Sequence, residues 1–190
     1  MKKYLVLLLL FISTTCLYAV DIVPKVSLCL PGTFKSDYEV DIAANIGAEG
    51  RIFFSDYFAV AVGFDYLTNR NISMGKKASD DHDFDKGRYN QVRFSMLPVY
   101  AGIICYPFGN FGEYKPYLRI DGGYNVYVHL SNDQSTSLGY YVSGGFGFEL
   151  YDRYIFELCA ARYEATDNDN DDDNISYKNI LFKFGYKFTI

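Results

Sequence analysis

The chain has no tryptophan, two histidines, five prolines and four scattered cysteines in 190 residues. Each scarcity removes a class of protein. Four cysteines with no CxxC pair and no Cys/His cluster form neither a disulfide framework nor a zinc site, so no metal or other cofactor is expected. Basic residues are outnumbered, 18 against 23, and the pI is about 5.0. The positive face that nucleic acid requires is therefore missing, and no nucleic-acid partner is expected. Beyond residue 20 no apolar run reaches the roughly 20 residues of a spanning helix, and the longest, 96–106, contains Pro98. The abundant residues are 19 Tyr, 16 Phe and 16 Gly, with 49% hydrophobic content. That is too apolar for a disordered chain and leans towards β-structure.

Met1-Lys2-Lys3, an apolar run over 4–12 and a polar stretch ending in Ala19 read as a secretory signal peptide. Cleavage between Ala19 and Val20 divides the chain into a signal, 1–19, and one domain, 20–190. A lipoprotein signal would use Cys16, but Ser13 and Thr15 stand where such signals carry Leu and a small residue. Removing the two signal lysines leaves 16 cations against 23 anions, a net charge of −7.

From residue 20 onward the dominant signal is a period of two. Over 38–54 the even positions Tyr38, Val40, Ile42, Ile46, Ile52 and Phe54 oppose Glu39, Asp41, Asn45, Glu49 and Arg51. The same even phase carries Phe58 to Tyr66, then Val92, Phe94, Met96, Tyr100, Ile104 and Tyr106, then Leu118 to Val128. It continues through Tyr140 to Leu150, Tyr154 to Leu158 and Ile180 to Ile190. With a shorter first segment at Val26, Leu28 and Leu30, the count is eight strands. Short connections at 55–57, 107–114 and 151–153 alternate with longer ones at 31–37, 69–90, 131–138 and 164–176. This is the pattern of an all-β, eight-stranded antiparallel up-and-down barrel with its tight turns at one end.

The side chains decide which face is inside. An eight-stranded lumen is too narrow for every large even-position Phe, Tyr, Ile and Val. The odd set is smaller and carries Lys25, Arg51, Arg93, Arg119, Lys183 and Lys187 against Glu39, Asp41, Glu49, Asp65, Asp121, Glu149 and Glu157. Charges leaving bulk water must be paired, so near-equal numbers of both signs suit a packed polar interior. The apolar face then meets lipid, which makes this a transmembrane β-barrel. Phe53, Phe54, Tyr57, Phe58, Tyr106, Phe108, Phe111, Tyr114, Tyr117, Tyr151 and Tyr154 flank the tight turns as an interfacial girdle. Arg162 falls on the lipid phase, tolerable only at the rim, where a cation meets lipid phosphate.

On these strands, on 115–124 (KPYLRIDGGY) and on the ending 184–190 (FGYKFTI), the chain resembles the small outer-membrane β-barrels of the OmpA/OmpX-like group. The resemblance covers the whole exported part. It implies location in the outer membrane of a Gram-negative-type bacterium, among outer-membrane lipids and lipopolysaccharide. It also implies a C-terminal strand read by the barrel assembly machinery, although this chain ends in Ile190 where the group usually ends in Phe or Trp. The function expected is non-enzymatic, structural or surface-interacting through an extracellular ligand of the loops, with a small-solute pore as the alternative.

Three chemistries compete with that reading. His129-Leu130-Ser131-Asn132 is similar to the His-x-Ser-Asn element of lipid A deacylases, a resemblance implying His129 as base and Ser131 as nucleophile. Those enzymes place a Glu about twelve residues past the Ser, where this chain has Ser143, and an Arg before the motif, where it has Val126. Asp167, Asp169 and Asp171 offer oxygen ligands to Ca²⁺, but Asp172 and Lys178 replace the Gly and Glu of an EF-hand loop, and a solvated acidic loop is expected. Cys29, Cys105 and Cys159 all fall on the lumenal phase of non-adjacent strands and are expected as free thiols.

Overall fold

Strands that alternate large apolar with small or polar side chains give a sheet two unlike faces, and a sheet that closes on itself has no free edge. The computed structural model describes residues 20–34, 38–40, 42–72, 92–130, 139–166 and 174–190, and no helix occurs among them. The strands are β1 (Val20–Cys29), β2 (Gly32–Phe34), β3 (Tyr38–Val40), β4 (Ala43–Ser55), β5 (Phe58–Ile72) and β6 (Val92–Cys105). After these come β7 (Tyr114–Leu130), β8 (Gly139–Leu150), β9 (Tyr154–Thr166), β10 (Asn174–Tyr186) and β11 (Phe188–Thr189). The eight long strands, β1 and β4 to β10, form a closed antiparallel up-and-down barrel. Closure occurs at β1, where Val26 lies opposite Ile46 of β4 on one side and Phe184 of β10 on the other. Past Lys187 the terminal β11 resumes the seam, with Phe188 opposite Ile22. The short β2–β3 hairpin adds to β10, Phe34 opposite Tyr177.

The tight turns are locally encoded. Ser55 Oγ accepts hydrogen bonds from the Tyr57 and Phe58 amides, both at 3.2 Å. Between β8 and β9, Tyr151 and Asp152 have φ of 53° and 57°, the double left-handed geometry of a type I′ hairpin turn. In the longer turn before β7, Gly109 and Gly112 adopt φ near 80°, which a side chain would resist.

The faces sort as lipid outside and polar inside. Ile46, Ile103 and Ile120 are 61–69% exposed on the outer wall, whereas Glu49, Arg51 and Arg119 are 0–2% exposed within. Three expectations are corrected. First, β6 has the opposite parity: Met96, Tyr100, Ile104 and Tyr106 point inward, while Val99 and Ile103 face out and Cys105 sits half-buried on the outer phase. Parity holds only along an unbroken strand, and Tyr106 and Lys115 on either side of a turn both point inward. Second, Tyr106 and Tyr117 are lumenal, 0–1% exposed, and Phe53 packs half-buried against their cluster, so none of the three belongs to the girdle. Third, 38–54 is two strands, β3 and β4, and β2 occupies part of the expected 31–37 loop. Strands β5, β9 and β10 also run beyond the predicted loop limits at 69, 164 and 176, to Ile72, Thr166 and Asn174.

Candidate functional site

The lumen is filled in storeys. At its centre two carboxylates gather three cations from across the barrel. Glu157 on β9 accepts from Lys25 Nζ at 3.0 Å, Arg51 Nη2 at 2.8 Å, Arg119 Nη1 at 2.5 Å and the Tyr117 hydroxyl at 2.7 Å. Glu49 on β4 meets Lys25 at 2.6 Å, Arg51 Nε at 2.6 Å and Arg119 Nη2 at 3.1 Å, and accepts from the Tyr100 hydroxyl at 3.1 Å. Asp121 takes two further hydrogen bonds from Arg119, at 2.7 and 3.0 Å, and one from Ser143 Oγ at 2.7 Å. Three cations thus balance three carboxylates, and removing one partner of a buried pair costs about 3–5 kcal/mol. Arg51 Nη1 makes no hydrogen bond and lies 4.0 Å from Glu149.

Beside this centre Lys183 pairs with Asp65 at 3.0 Å, joining β10 to β5 through the interior. At the turn-side end Lys187 bonds Glu149 and lies 3.4 Å from Asp21, and Lys115 bonds Asp152. That hydrogen bond from Lys115 holds the Asp152 carboxyl below the usual range, in a turn outside the spanning strands. Among the described residues, the buried charges number six of each sign: Lys25, Arg51, Lys115, Arg119, Lys183 and Lys187 against Asp21, Glu49, Asp65, Asp121, Glu149 and Glu157.

Aromatic rings close the network above and below. On the loop side Tyr100, Tyr141, Tyr163 and Tyr177 form a chain of ring contacts, with centroids 5.0–5.6 Å apart. On the turn side Phe53, Tyr106 and Tyr117 do the same at 5.3–5.6 Å. Arg51 lies over Tyr117 and Arg119 over Tyr100, so each ring layer also caps a guanidinium. Glycines make the room: a Cβ on Gly102 would overlap the Asp121 carboxylate, and one on Gly147 would lie 2.5 Å from the Tyr117 ring. The arrangement pairs charge across the interior.

The sequence reading placed Lys25, Arg51, Arg119, Lys183, Lys187, Glu49, Asp65, Asp121, Glu149 and Glu157 correctly. It missed Asp21 and Lys115, both on the inward phase of their strands, and the tyrosine layers. Alternation alone could have found the first two, since Lys115 precedes Tyr117 and Arg119 by steps of two. The side chains of Glu39, Arg93 and His129, and all of Asp41, Ser131, Ala19 and 167–173, lie outside the described residues; Val20 opens β1, and the His129 backbone pairs with Ser95. Cys29, Cys105 and Cys159 are free, and Cys29 donates to Asn45 Oδ1 at 3.1 Å. Among the described residues no group of three or more His, Cys, Asp or Glu is arranged to hold a metal.

The family model for the outer membrane protein β-barrel domain matches residues 18–188. Among solved structures, Ail, the attachment invasion locus protein of Yersinia pestis, crystallised with the heparin analogue sucrose octasulfate, is similar at 13% identity and a TM-score of 0.51. The match covers 90% of this chain and 99% of that one. Neisserial surface protein A gives 15% identity and a TM-score of 0.52, with the same coverage. At these identities the likeness is one of fold. Among curated protein sequences none matches.

Proposed function

Because the chain belongs to the outer membrane protein β-barrel domain family, we propose that it is a non-enzymatic outer-membrane barrel, locked shut inside, whose working surface is its loops. The observation that carries this reading is the charge-balanced lumen, packed from Tyr106 and Tyr117 up to Tyr163 and Tyr177. A solute pore needs an open, wetted path, and here the narrow section holds paired charges and stacked rings. Outer-membrane barrels carry short turns on the periplasmic side and longer loops outside, so the loops opposite the three tight turns face the exterior.

The loop following β9 carries five aspartates within 167–173, so a partner meeting it presents positive charge. Ail, with the same fold, has been crystallised with a polyanion, the opposite chemistry. Export runs through a signal cleaved between Ala19 and Val20, a reading supported by the lysines at positions 2 and 3 and the apolar run over 4–12. The strand ending in Phe188 and Ile190 offers the apolar stripe that assembly machinery reads.

The test is electrical. Refolded protein in planar bilayers is expected to give no stable unitary conductance. Reproducible channel events at physiological salt would transfer the assignment to a small-solute pore.

A further inference from the structure

The outer wall carries one feature that a plain lipid-facing surface lacks. Arg162 on β9 and Lys178 on β10 are cross-strand partners, both exposed on the outside of the barrel, with Val142 of β8 completing the row. One step towards the tight turns the outer wall is lowered, because Gly144 and Ala160 stand opposite each other between Ile120 and Ile180. A further step down the wall rises again at Phe146, Leu158 and Phe182. The result is a groove of about 490 Å³ whose lining includes Ile120, Val142, Gly144, Ala160, Arg162 and Lys178.

Height in the membrane fixes what this groove meets. A spanning strand takes roughly 9–11 residues, and counting from the girdle residue Tyr154 brings β9 to its far interface at about Arg162 to Glu164. The structure carries a second aromatic belt there: Tyr66, Tyr124 and Tyr140 are exposed, and Tyr124 pairs with Tyr140 just above the Val142 row. The two cations therefore lie immediately beneath the loop-side belt, at headgroup level, and the apolar groove lies on their hydrocarbon side. Glu164 pairs with Arg162 and orients it, whereas Lys178 has no side-chain partner among the described residues.

We propose that this groove is a binding site for a phosphate-bearing lipid of the outer leaflet, its phosphate held between Arg162 and Lys178 and one acyl chain laid over Gly144 and Ala160. The proposal rests on the outward placement of the loops argued above. It names a fixed lipid position, where the barrel fold by itself requires only a lipid surround.

Native mass spectrometry of protein refolded in mild detergent tests it, with bisphosphorylated lipid A, dephosphorylated lipid A and inorganic phosphate as probes. Wild type should retain the phosphorylated lipid, and the R162Q/K178Q variant, which removes two cations each worth roughly five-fold, should lose about 25-fold of the adduct. Gly144→Leu fills the groove at no backbone cost, since a Cβ there meets nothing nearer than 3.7 Å, and should also reduce the adduct. Arg153→Gln, in the opposite turn, should not. Equal adducts on wild type and R162Q/K178Q overturn the proposal, as does inorganic phosphate displacing the lipid. Loss with the charge variant alone, Gly144→Leu being silent, overturns the acyl half. A normal heat shift on gels shows that each variant is folded, and channel activity would refute the closed-lumen reading while leaving the adduct unaffected.

Discussion

Glu157→Gln is the sharpest perturbation of the lumen. The substitution keeps a carbonyl oxygen where Arg51, Arg119 and Tyr117 converge, so three of the hydrogen bonds survive in outline. It removes one negative charge and places an amide NH2 where Oε2 accepts from Lys25 at 3.0 Å, setting donor against donor. Lys25, Arg51 and Arg119 then face only Glu49 and Asp121, leaving one cation uncompensated in a fully buried site. Removing one partner of a buried pair costs about 3–5 kcal/mol, and the upper part of that range applies because no side chain of the cluster reaches water. Urea unfolding in lipid vesicles, followed by heat shift and far-ultraviolet circular dichroism, measures the loss. Adding Lys25→Met restores charge balance and removes the clashing donor, so the double variant should recover about 2 kcal/mol or more. A double variant no more stable than Glu157→Gln alone would refute the argument that balance, and not any one contact, holds the centre.

Three further outcomes follow from the same geometry. Val62, exposed on the outer wall midway between Phe58 and Tyr66, should cost about 2–4 kcal/mol as Arg, whereas Glu113→Arg in an exposed turn should lie within about 0.5 kcal/mol of wild type; equal urea midpoints would contradict the lipid-facing assignment. Gly102→Val drives a side chain into the Asp121 carboxylate and the Ile120 carbonyl 2.8 Å away and should cost about 1–3 kcal/mol or prevent refolding, while Gly122→Ala, with nothing within 4 Å, should be close to neutral by the same measurement. Deleting 186–190 removes the Phe188–Ile22 and Thr189–Asp21 pairings that finish the seam, so the truncated chain should fail to insert and show no heat shift, whereas deletion of 167–173 should leave insertion intact.

The period of two was enough to read the barrel, its eight strands and most of its buried charges, because alternation is a direct image of a two-faced sheet. It failed where parity was carried across a connection. In β6, Val99, Ala101 and Ile103 are as apolar as Tyr100 and Ile104, so hydrophobicity gives no reason to choose between the faces; the choice comes from the pairing of Tyr100 with Gly63 and Gly123. A Cβ on Gly63 would lie 2.9 Å from the Tyr100 hydroxyl and one on Gly123 2.7 Å from the Tyr100 Cα, a relation between three strands that no single segment displays. Tyr106 and Tyr117 were misplaced for a related reason. A tyrosine near a turn suits a membrane interface and a lumen equally well, and only Arg51 above the ring of Tyr117 decides for the lumen.

The charges that close the lumen also set the register of the wall. Lys25, Glu49, Asp65, Arg119, Glu157 and Lys183 come from six different strands, yet every pair they form lies within hydrogen-bonding distance across the interior. Sliding one strand by a single residue would turn its charge out into hydrocarbon, at a cost of about 2–4 kcal/mol for a cation near the midplane. Sliding by two residues would keep the side chain inside but move it by roughly 6–7 Å, far beyond its partner's reach. The apolar outer face cannot make the second distinction, since Ile, Val and Phe are nearly interchangeable against lipid. A lumen of matched charges therefore specifies one register among several that the hydrophobic pattern would accept. A barrel specified in that way commits its polar interior to holding the register, and on the proposed function its loops and its outer wall are the surfaces that interact.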